Sequence, residues 1–120
     1  MKENVVRNKS FEFALRIVKL YKILSQNKEY VLSKQLLKSG TSIGALVREA
    51  EQAESKADFI HKMAISLKEA NETDYWIELL FHSAYLKESE YQSIKKDITE
   101  LLKLLTSIIK TTKASTRYNG

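Results

Sequence analysis

The sequence predicts an all-α protein, an antiparallel up-down-up-down four-helix bundle formed by a single domain of residues 1–120. Proline is absent and glycine occurs only three times, whereas a sheet protein of this length needs more turn residues. Apolar residues recur at helical spacing in four segments, and the turns between these segments are only a few residues long. Helices that are connected by such short turns pack as antiparallel neighbours.

The first helix is predicted to run from an N-cap at Ser10 to about Gln26. Two apolar rows follow it and leave only a narrow polar strip, so we expect the helix to be buried on two sides. A lone four-helix bundle covers one of those sides, and the fourth helix also carries more apolar surface than one core needs, through Leu102, Leu104 and Ile109. This surplus predicts a homo-oligomer, in a closed ring or another cyclic assembly. The rows are Phe11, Ala14, Leu15, Val18 and Tyr21, and Phe13, Ile17, Leu20 and Leu24.

The second helix is predicted from about Tyr30 to Gln52, after a polar turn. Its middle, residues 39–45, has poor helix propensity, and two interpretations compete there: a break, or a helix whose small face lets a neighbour approach closely. Gly40 and Gly44 are one turn apart, and the apolar period continues across them in phase. This continuity favours close packing.

Two capping-box patterns mark the starts of the last two helices. Ser55 is followed by Asp58 at the start of a third helix that ends near Tyr85, and Ser89 is followed by Gln92 before the fourth. The core is expected to cover residues 10–112, and residues 113–120 are expected to form a flexible tail. The predicted core residues are Ile60, Met63, Ala64, Leu67, Ala70, Ile77, Phe81 and Ala84 in the third helix, and Ile94, Ile98, Leu101, Leu105 and Ile108 in the fourth.

Composition narrows the functional classes. Cysteine is absent, which excludes disulfides, thiolate catalysis and cysteine-based metal sites. The first ten residues are polar and charged, unlike a signal peptide, and no apolar run approaches the roughly 20 residues that span a bilayer. We therefore expect a cytoplasmic protein without a membrane segment.

Enzymatic chemistry finds little support in the residues. A carboxylate-bridged metal pair in a helical bundle requires Glu-x-x-His on two helices. His61 follows Asp58 at that offset, but Asp58 is better explained as a capping acid, and His82 follows Leu79. Nucleophile motifs and phosphate-binding glycine loops are also lacking. We expect no catalytic residue, no metal and no cofactor.

Charge is distributed unevenly along the chain. Residues 1–48 hold ten Lys and Arg against three acidic residues, residues 49–90 hold four against ten, and residues 91–120 hold six against two. Such polarity steers a polyanion to one face, or brings unlike faces of neighbouring subunits together. A solvated surface without a binding role is the alternative.

A basic stripe on the first helix is the candidate nucleic-acid interface. Its spacing can follow a phosphate backbone, in particular if an oligomer repeats the stripe. A solvated helix face is again the alternative interpretation. The candidate residues are Lys9, Arg16, Lys19 and Lys22 of the first helix, together with Lys38 of the second.

Residues 69–76 of the third helix form a dense polar and aromatic cluster around the single tryptophan, Trp76. One interpretation is a recognition surface, because Trp and Tyr are favoured at interfaces and carboxylates accept hydrogen bonds from Arg or Lys. The other interpretation makes Trp76 an anchor of the bundle or of a subunit interface. In that case Asn71 or Asp74 fixes the helix register through a buried hydrogen bond.

Two motifs carry a family resemblance. Residues 35–45 read QLLKSGTSIGA and residues 67–76 read LKEANETDYW, with Asp-Phe-Ile at 58–60 between them. This ordered combination resembles the small bacterial four-helix-bundle proteins that are encoded within intervening sequences of 23S rRNA genes, over about residues 11–110. The residues that fall on the family motifs are Gln35, Ser39, Ser42, Ile43, Glu72, Thr73, Tyr75 and Trp76.

The resemblance implies a function as well as a fold. The family is related to the accessory variability determinant of diversity-generating retroelements, which implies a pentameric ring with basic surfaces that binds nucleic acid and a reverse transcriptase. We therefore expect a non-enzymatic homo-oligomer, a pentamer by resemblance, that binds RNA, DNA or an RNA–protein complex. The alternative is a protein–protein interaction adaptor that has a protein partner and no direct contact with nucleic acid.

Overall fold

The computed structural model describes the backbone of residues 2–115 and the side chains of residues 4–115. Four helices account for nearly all of this chain, and they form an elongated body with principal extents of 51 × 21 × 19 Å. α1 and α3 each contact both α2 and α4, which is the arrangement of a four-helix bundle. The predicted fold class is therefore confirmed. The helices are α1 (Lys2–Gln26), α2 (Leu32–Glu51), α3 (Lys56–His82) and α4 (Glu88–Ala114).

Neighbouring helices run antiparallel, because residue numbers that rise along one helix meet numbers that fall along the next. In the α2–α3 pair, Ser39 contacts Thr73. Ten residues further along α2, Glu49 pairs with Lys62, which lies eleven residues before Thr73 in α3. The other three pairs of neighbouring helices show the same opposed numbering. Between α1 and α2, Arg7 pairs with Glu51 and Ile17 lies beside Gly40, and between α1 and α4, Lys9 pairs with Glu100 and Arg16 with Asp97. Between α3 and α4, Asp74 pairs with Lys95 and Phe81 stacks on Tyr91.

The start of α1 differs from the prediction. The helix already includes Lys2, so the predicted N-cap at Ser10 is wrong. Ser10 is fully buried inside the helix, and its hydroxyl donates a hydrogen bond to the carbonyl oxygen of Arg7 at 3.1 Å. The helix extends to the N-terminal side because Val6 joins the core, with 1% of its surface exposed. Val5 and Val6 are the only apolar residues of segment 2–10, which is too weak a periodic signal to predict the extra turns.

The glycines of α2 bring two helices close together, as predicted. α2 continues without a break through residues 39–45. A Cβ atom on Gly40 would lie 2.9 Å from Cγ1 and Cγ2 of Ile17, and one on Gly44 would lie 3.3 Å from the backbone oxygen of Ser10. The missing side chains thus set how near α1 and α2 approach.

The two predicted caps have different outcomes. The N-cap at Ser55 is confirmed, because its hydroxyl accepts a hydrogen bond from the backbone N–H of Asp58 at 3.0 Å. The reciprocal half of the predicted box is shifted by one residue, since Asp58 Oδ2 accepts from the backbone N–H of Glu54 at 3.3 Å. The prediction at Ser89 is wrong, since α4 begins at Glu88. Glu90 reaches back to accept from the backbone N–H of Lys87 at 2.9 Å, which caps the helix two residues earlier than expected.

The buried face of α3 is more polar than predicted. Ser66 and Thr73 are fully buried there and satisfy their hydroxyls by hydrogen bonds, Ser66 to the carbonyl oxygen of Ile43 at 2.9 Å. The face is rotated accordingly, so the predicted core position Ala64 is exposed. Ala84 is exposed for another reason: α3 ends at His82 and not near Tyr85 as predicted, so Ala84 lies in the turn that follows. Of the remaining predicted positions, Met63, Ala70 and Ile77 are buried, whereas Ile60, Leu67 and Phe81 are partly buried.

The core seam of α4 is confirmed, since all five predicted residues are buried. The helix extends to Ala114, so the first two residues of the predicted tail, Lys113 and Ala114, are helical. Residues 116–120 of that tail lie outside the described residues. Within the described chain, none of the helices has the length and apolarity needed to cross a bilayer.

Candidate nucleic-acid interface

Two of the five predicted phosphate-binding residues are ion-paired to α4. Lys9 pairs with Glu100, and Arg16 pairs with Asp97 while its Nη2 donates to Ser93 Oγ at 2.8 Å. The hydrogen bond to Glu100, with the charge of that carboxylate, raises the pKa of Lys9 above its ordinary value. Lys9 and Arg16 thus neutralise acidic residues of α4 and hold α1 against it.

The other three predicted residues remain available to a ligand. Lys19 and Lys22 on α1 and Lys38 on α2 are exposed, and none of them forms an ion pair with any side chain of residues 4–115. The predicted stripe is therefore divided into an ion-paired part and an unpaired part. We refer to Lys19, Lys22 and Lys38 as the α1–α2 lysines.

The sequence reasoning missed a second basic surface on α4. Lys96, Lys103 and Lys110 are exposed, and no carboxylate among residues 4–115 pairs with them. They follow one another at intervals of seven residues, so they lie on one side of the helix. This spacing of seven residues is the signal in the sequence that could have identified the surface. We call Lys96, Lys103 and Lys110 the α4 lysine row.

A third surface, on α1, is apolar. Phe11 and Leu15 expose 50% and 56% of their surface, and the Arg48 guanidinium of α2 lies 5.2 Å from the centroid of the Phe11 ring. Phe11 and Leu15 belong to the first apolar row of α1, and the prediction was that a single bundle leaves one of the two rows uncovered. We call Phe11, Leu15 and Arg48 the α1–α2 apolar surface.

The motif residues of α2 and α3 are brought together in part. Thr73 Oγ1 and Ser39 Oγ are hydrogen-bonded at 2.9 Å, and Ile43 is fully buried beside Ser66. Ser42 donates its hydroxyl to its own helix, at the carbonyl oxygen of Lys38, 2.6 Å away. Of this motif, Gln35 is exposed to solvent. The buried members serve the contact between α2 and α3.

The remaining motif residues form an acidic and aromatic surface on α3. Trp76 is partly buried, and its Nε1–H donates to Glu72 Oε2 at 3.2 Å. Tyr75 exposes 59% of its surface, and its ring meets the Trp76 ring edge-on with centroids 5.0 Å apart. We call Glu72, Tyr75 and Trp76 the α3 aromatic surface.

A polar cluster joins α3 to α4. Lys95 Nζ lies 2.6 Å from Asp74 Oδ1 and 3.3 Å from Glu78 Oε2, and the hydroxyl of Tyr91 donates to Glu78. This hydroxyl, together with Lys95, lowers the pKa of Glu78 against the opposing effect of burial, and the same contact raises the pKa of Tyr91. Burial by itself lowers the pKa of Lys95, but the hydrogen bonds to Asp74 and Glu78 outweigh it and raise that pKa.

Asp74 and Asn71, the two residues expected to fix the helix register, differ in the contacts that they make. Asp74 reaches across to α4, as one interpretation predicted, but 26% of its side chain is exposed. Asn71 is exposed and donates to the carbonyl oxygen of Leu67 in its own helix, at 3.1 Å. Of the two, Asp74 is the one that links helices.

The histidines considered for metal binding lie apart from any ligand cluster. His61 is exposed, and His82 is exposed with its Nε2 at 3.6 Å from Glu78 Oε1. Among the residues that the structure describes, no three His, Asp or Glu side chains are placed to hold a metal ion. A cavity of about 490 Å³ near the α2–α3 turn has Glu51, Glu54 and Lys56 as its charged lining.

Comparison with known proteins agrees with the fold and the motifs. The model of a family described as "23S rRNA-intervening sequence protein" matches residues 2–107. A solved structure of a protein of unknown function from Bacteroides thetaiotaomicron VPI-5482, of the S23 ribosomal protein family, is 63% identical; the match covers 92% of this chain and 99% of that one, with a TM-score of 0.90. No protein with a curated description matches. The family match runs through α1, α2, α3 and most of α4, and the chain belongs to the family of 23S rRNA-intervening sequence proteins.

Proposed function

We propose that this protein is a non-enzymatic, homo-oligomeric and cytoplasmic protein that binds RNA, or an RNA–protein complex, through basic surfaces. The observation that carries the proposal is that Lys19, Lys22 and Lys38, three residues of the predicted stripe, are exposed and have no ion-pair partner among residues 4–115. Unpaired cations at a surface bind phosphates and release the counterions condensed on a nucleic acid. The family is named after an intervening sequence of 23S rRNA, and this connection supports RNA as the ligand.

The proposed oligomer uses two surfaces of unlike character. The α1–α2 apolar surface carries the cation of Arg48, and the α3 aromatic surface carries the carboxylate of Glu72 beside two aromatic rings. Contact between these surfaces on neighbouring copies covers exposed apolar side chains and pairs opposite charges. Such a head-to-tail contact generates a closed ring when its rotation closes. The resemblance favours five copies.

RNA binding is tested on wild-type protein of known mass. We would titrate labelled structured RNA and duplex DNA across a salt series, and fix the oligomeric mass by light scattering. Micromolar or tighter binding that weakens steeply with salt is expected, since phosphate contacts release counterions. The variant K19Q/K22Q/K38Q is expected to bind more weakly than K28Q/K34Q/K68Q, a control with the same change in charge at three other exposed lysines.

In a second function, that of a protein–protein adaptor, the α3 aromatic surface binds a partner protein instead of a neighbouring copy. Tyr and Trp are enriched at protein interfaces, and Tyr75 is exposed. An adaptor that binds through apolar contacts changes little in affinity with salt, in contrast to a phosphate-binding protein. An intact oligomer that binds no nucleic acid at low salt contradicts the RNA proposal and favours the adaptor.

The oligomer has a separate test. The variant F11E/L15E places two carboxylates on the α1–α2 apolar surface, where both side chains are exposed in the single chain. We expect its mass by light scattering to fall to that of one chain, 13.8 kDa. Y85E is the control, because Tyr85 is also exposed but lies in the turn between α3 and α4. A wild-type protein that is monomeric at micromolar concentration contradicts this part of the proposal.

A further inference from the structure

The α4 lysine row keeps its full positive charge because the acidic residues near it are engaged elsewhere. Asp97 pairs with Arg16 and Glu100 pairs with Lys9, and these two are the acidic residues of segment 91–115. A further lysine of α4, Lys95, is itself paired with α3. The α1 cations thus act on α4 indirectly: they neutralise its carboxylates and leave its outer lysines uncompensated.

The row is also straight and regularly spaced. Seven residues of α-helix rise by about 10.5 Å, so Lys96 and Lys110 are separated by roughly 21 Å along the axis. A nucleic-acid duplex carries about one phosphate charge per 1.7 Å, or roughly 12 charges over that length. Since phosphates outnumber lysines, each lysine has a phosphate within reach whatever the sequence. Two shallow depressions of about 400 and 550 Å³ lie along the row, and Lys103 lines both.

The surroundings of the row favour a duplex over a single strand. Between the lysines, the depressions are lined by polar and aliphatic residues, including Gln92, Thr99, Leu102 and Thr106, and by Glu100, whose carboxylate is paired with Lys9. Proteins that bind single strands without sequence preference add aromatic side chains on which bases stack. The exposed aromatic residues of the described chain, such as Phe11 and Tyr75, belong to α1 and α3 or to the turns.

We propose that the α4 lysine row binds the phosphate backbone of a nucleic-acid duplex independently of its sequence. This inference rests on the proposed function and assigns a site to it. The ligand is recognised by its phosphate spacing, which duplex RNA and duplex DNA share in outline, so the experiment includes both. Hydroxyl and amide side chains beside the lysines provide further hydrogen bonds to phosphate oxygens.

The test compares K96Q/K103Q/K110Q with wild type and with the control K28Q/K34Q/K68Q. Each protein is titrated with a labelled 20-base-pair RNA duplex, a DNA duplex of the same sequence, and a single strand of the same length, from low to moderate salt. We expect the row variant to lose at least tenfold in affinity for the duplexes at about 0.1 M salt. The slope of log K against log salt should decrease by about 2 to 3, because three phosphate contacts are lost at about 0.9 each.

The outcomes separate this inference from the proposed function. If wild type binds duplex and the row variant binds equally well, the inference is overturned while the proposed function stands. If wild type binds no nucleic acid, both fail. Stronger binding of the single strand than of either duplex also overturns the assignment. All three lysines are exposed, so the helical content and oligomeric mass should be unchanged; should the triple variant misfold, Lys103→Glu alone carries the test.

Discussion

Thr73 of α3 and Ser39 of α2 share a hydrogen bond of 2.9 Å between two side chains that are fully buried. Thr73 Oγ1 also lies 2.8 Å from the carbonyl oxygen of Glu69 in its own helix. Both hydroxyls are therefore satisfied inside an otherwise apolar layer, which is the condition under which buried polar groups are tolerated. Because Ser39 and Thr73 belong to the two family motifs, part of each motif serves helix packing.

The Ser39–Thr73 pair predicts strong coupling in a double-mutant cycle. Thr73→Val alone leaves the buried Ser39 hydroxyl with only the carbonyl oxygen of Leu36, 3.5 Å away, and should lower the free energy of unfolding by about 1–3 kcal/mol. Ser39→Ala alone should cost less, because Thr73 Oγ1 keeps the carbonyl oxygen of Glu69 as its partner. Replacing both partners removes the unpaired group, so S39A/T73V should cost clearly less than the sum of the two single changes. Urea unfolding measures all four proteins. Simple additivity would contradict a direct interaction.

Gly40 predicts a steric limit between α1 and α2. An alanine Cβ there would come within 2.9 Å of two carbon atoms of Ile17, which is fully buried. Gly40→Ala should therefore destabilise the protein by about 1–3 kcal/mol, although alanine has the higher helix propensity. Gly44→Ala is the milder comparison, at 3.3 Å from Ser10.

A rescue variant separates packing from other causes in the Gly40 prediction. In the presence of Gly40→Ala, the change Ile17→Ala should cost less in the free energy of unfolding than it does in wild type, because it removes the clashing atoms. Thermal and urea unfolding supply these values. Equal costs of Ile17→Ala in the two backgrounds would argue against a clash between positions 17 and 40.

A residue after the end of α1 and one after the end of α3 adopt a left-handed backbone conformation, in which glycine should be more stable. Lys28 and Ala84 have positive φ, 65° and 69°, after the ends of α1 and α3. The N–H of Tyr85 donates to the carbonyl oxygen of Leu80 at 2.9 Å, a pattern in which glycine usually precedes the donor. Ala84→Gly should raise the free energy of unfolding by about 1 kcal/mol, since it relieves a left-handed conformation.

The control for Ala84→Gly is the same substitution inside a helix. Ala45 is exposed within α2, and Ala45→Gly should destabilise by about 1 kcal/mol. Urea unfolding of the two variants measures effects of opposite sign. Destabilisation by both would show that the backbone at position 84 is not strained.

The lowered pKa of Glu78 predicts that the protein loses stability in acid. Its pKa in the folded protein is lowered by the hydroxyl of Tyr91 and by Lys95, so the unfolded chain takes up the proton first as the pH falls. The stabilisation by ionised Glu78 is complete above the unfolded pKa, about 4.3, and is lost as the pH falls through the lower folded value. The melting temperature of wild type should therefore exceed that of Glu78→Gln at pH 7, and the difference should shrink below about pH 4.

Thermal unfolding from pH 7 to pH 3 measures this difference. Glu54→Gln is the control, because Glu54 is exposed and its carboxylate forms none of the ion pairs found in residues 4–115. Tyr91→Phe removes the hydroxyl and should weaken the pH dependence of the remaining Glu78. A difference between wild type and Glu78→Gln that stays constant across the range would contradict this account.

Local patterns in the sequence determined the architecture. The seam of α4 follows from alternating steps of four and three residues, the cap at Ser55 from a spacing of three, and the close approach at Gly40 from small residues one turn apart. Each of these signals operates within one helix, or over one or two turns, which is why composition and periodicity predict them. The same reasoning failed at Ser10, where the helix continues toward the N-terminus because Val6 is buried in the core, and at Ser89, where Glu90 accepts from the backbone N–H of Lys87 instead.

Which charged side chains stay unpaired on the surface depended on tertiary structure. Sequence placed Lys9 and Arg16 with the other basic residues of α1, but the rotation and register of α1 against α4 bring them to Glu100 and Asp97, about 90 and 80 positions away in the chain. Which charges meet is decided by how whole helices pack, because no local spacing encodes a contact between distant segments. By itself the sequence determined a four-helix bundle with surplus apolar surface and basic charge; packing decided which lysines remain unpaired, since each ion pair needs both partners on facing sides of adjacent helices.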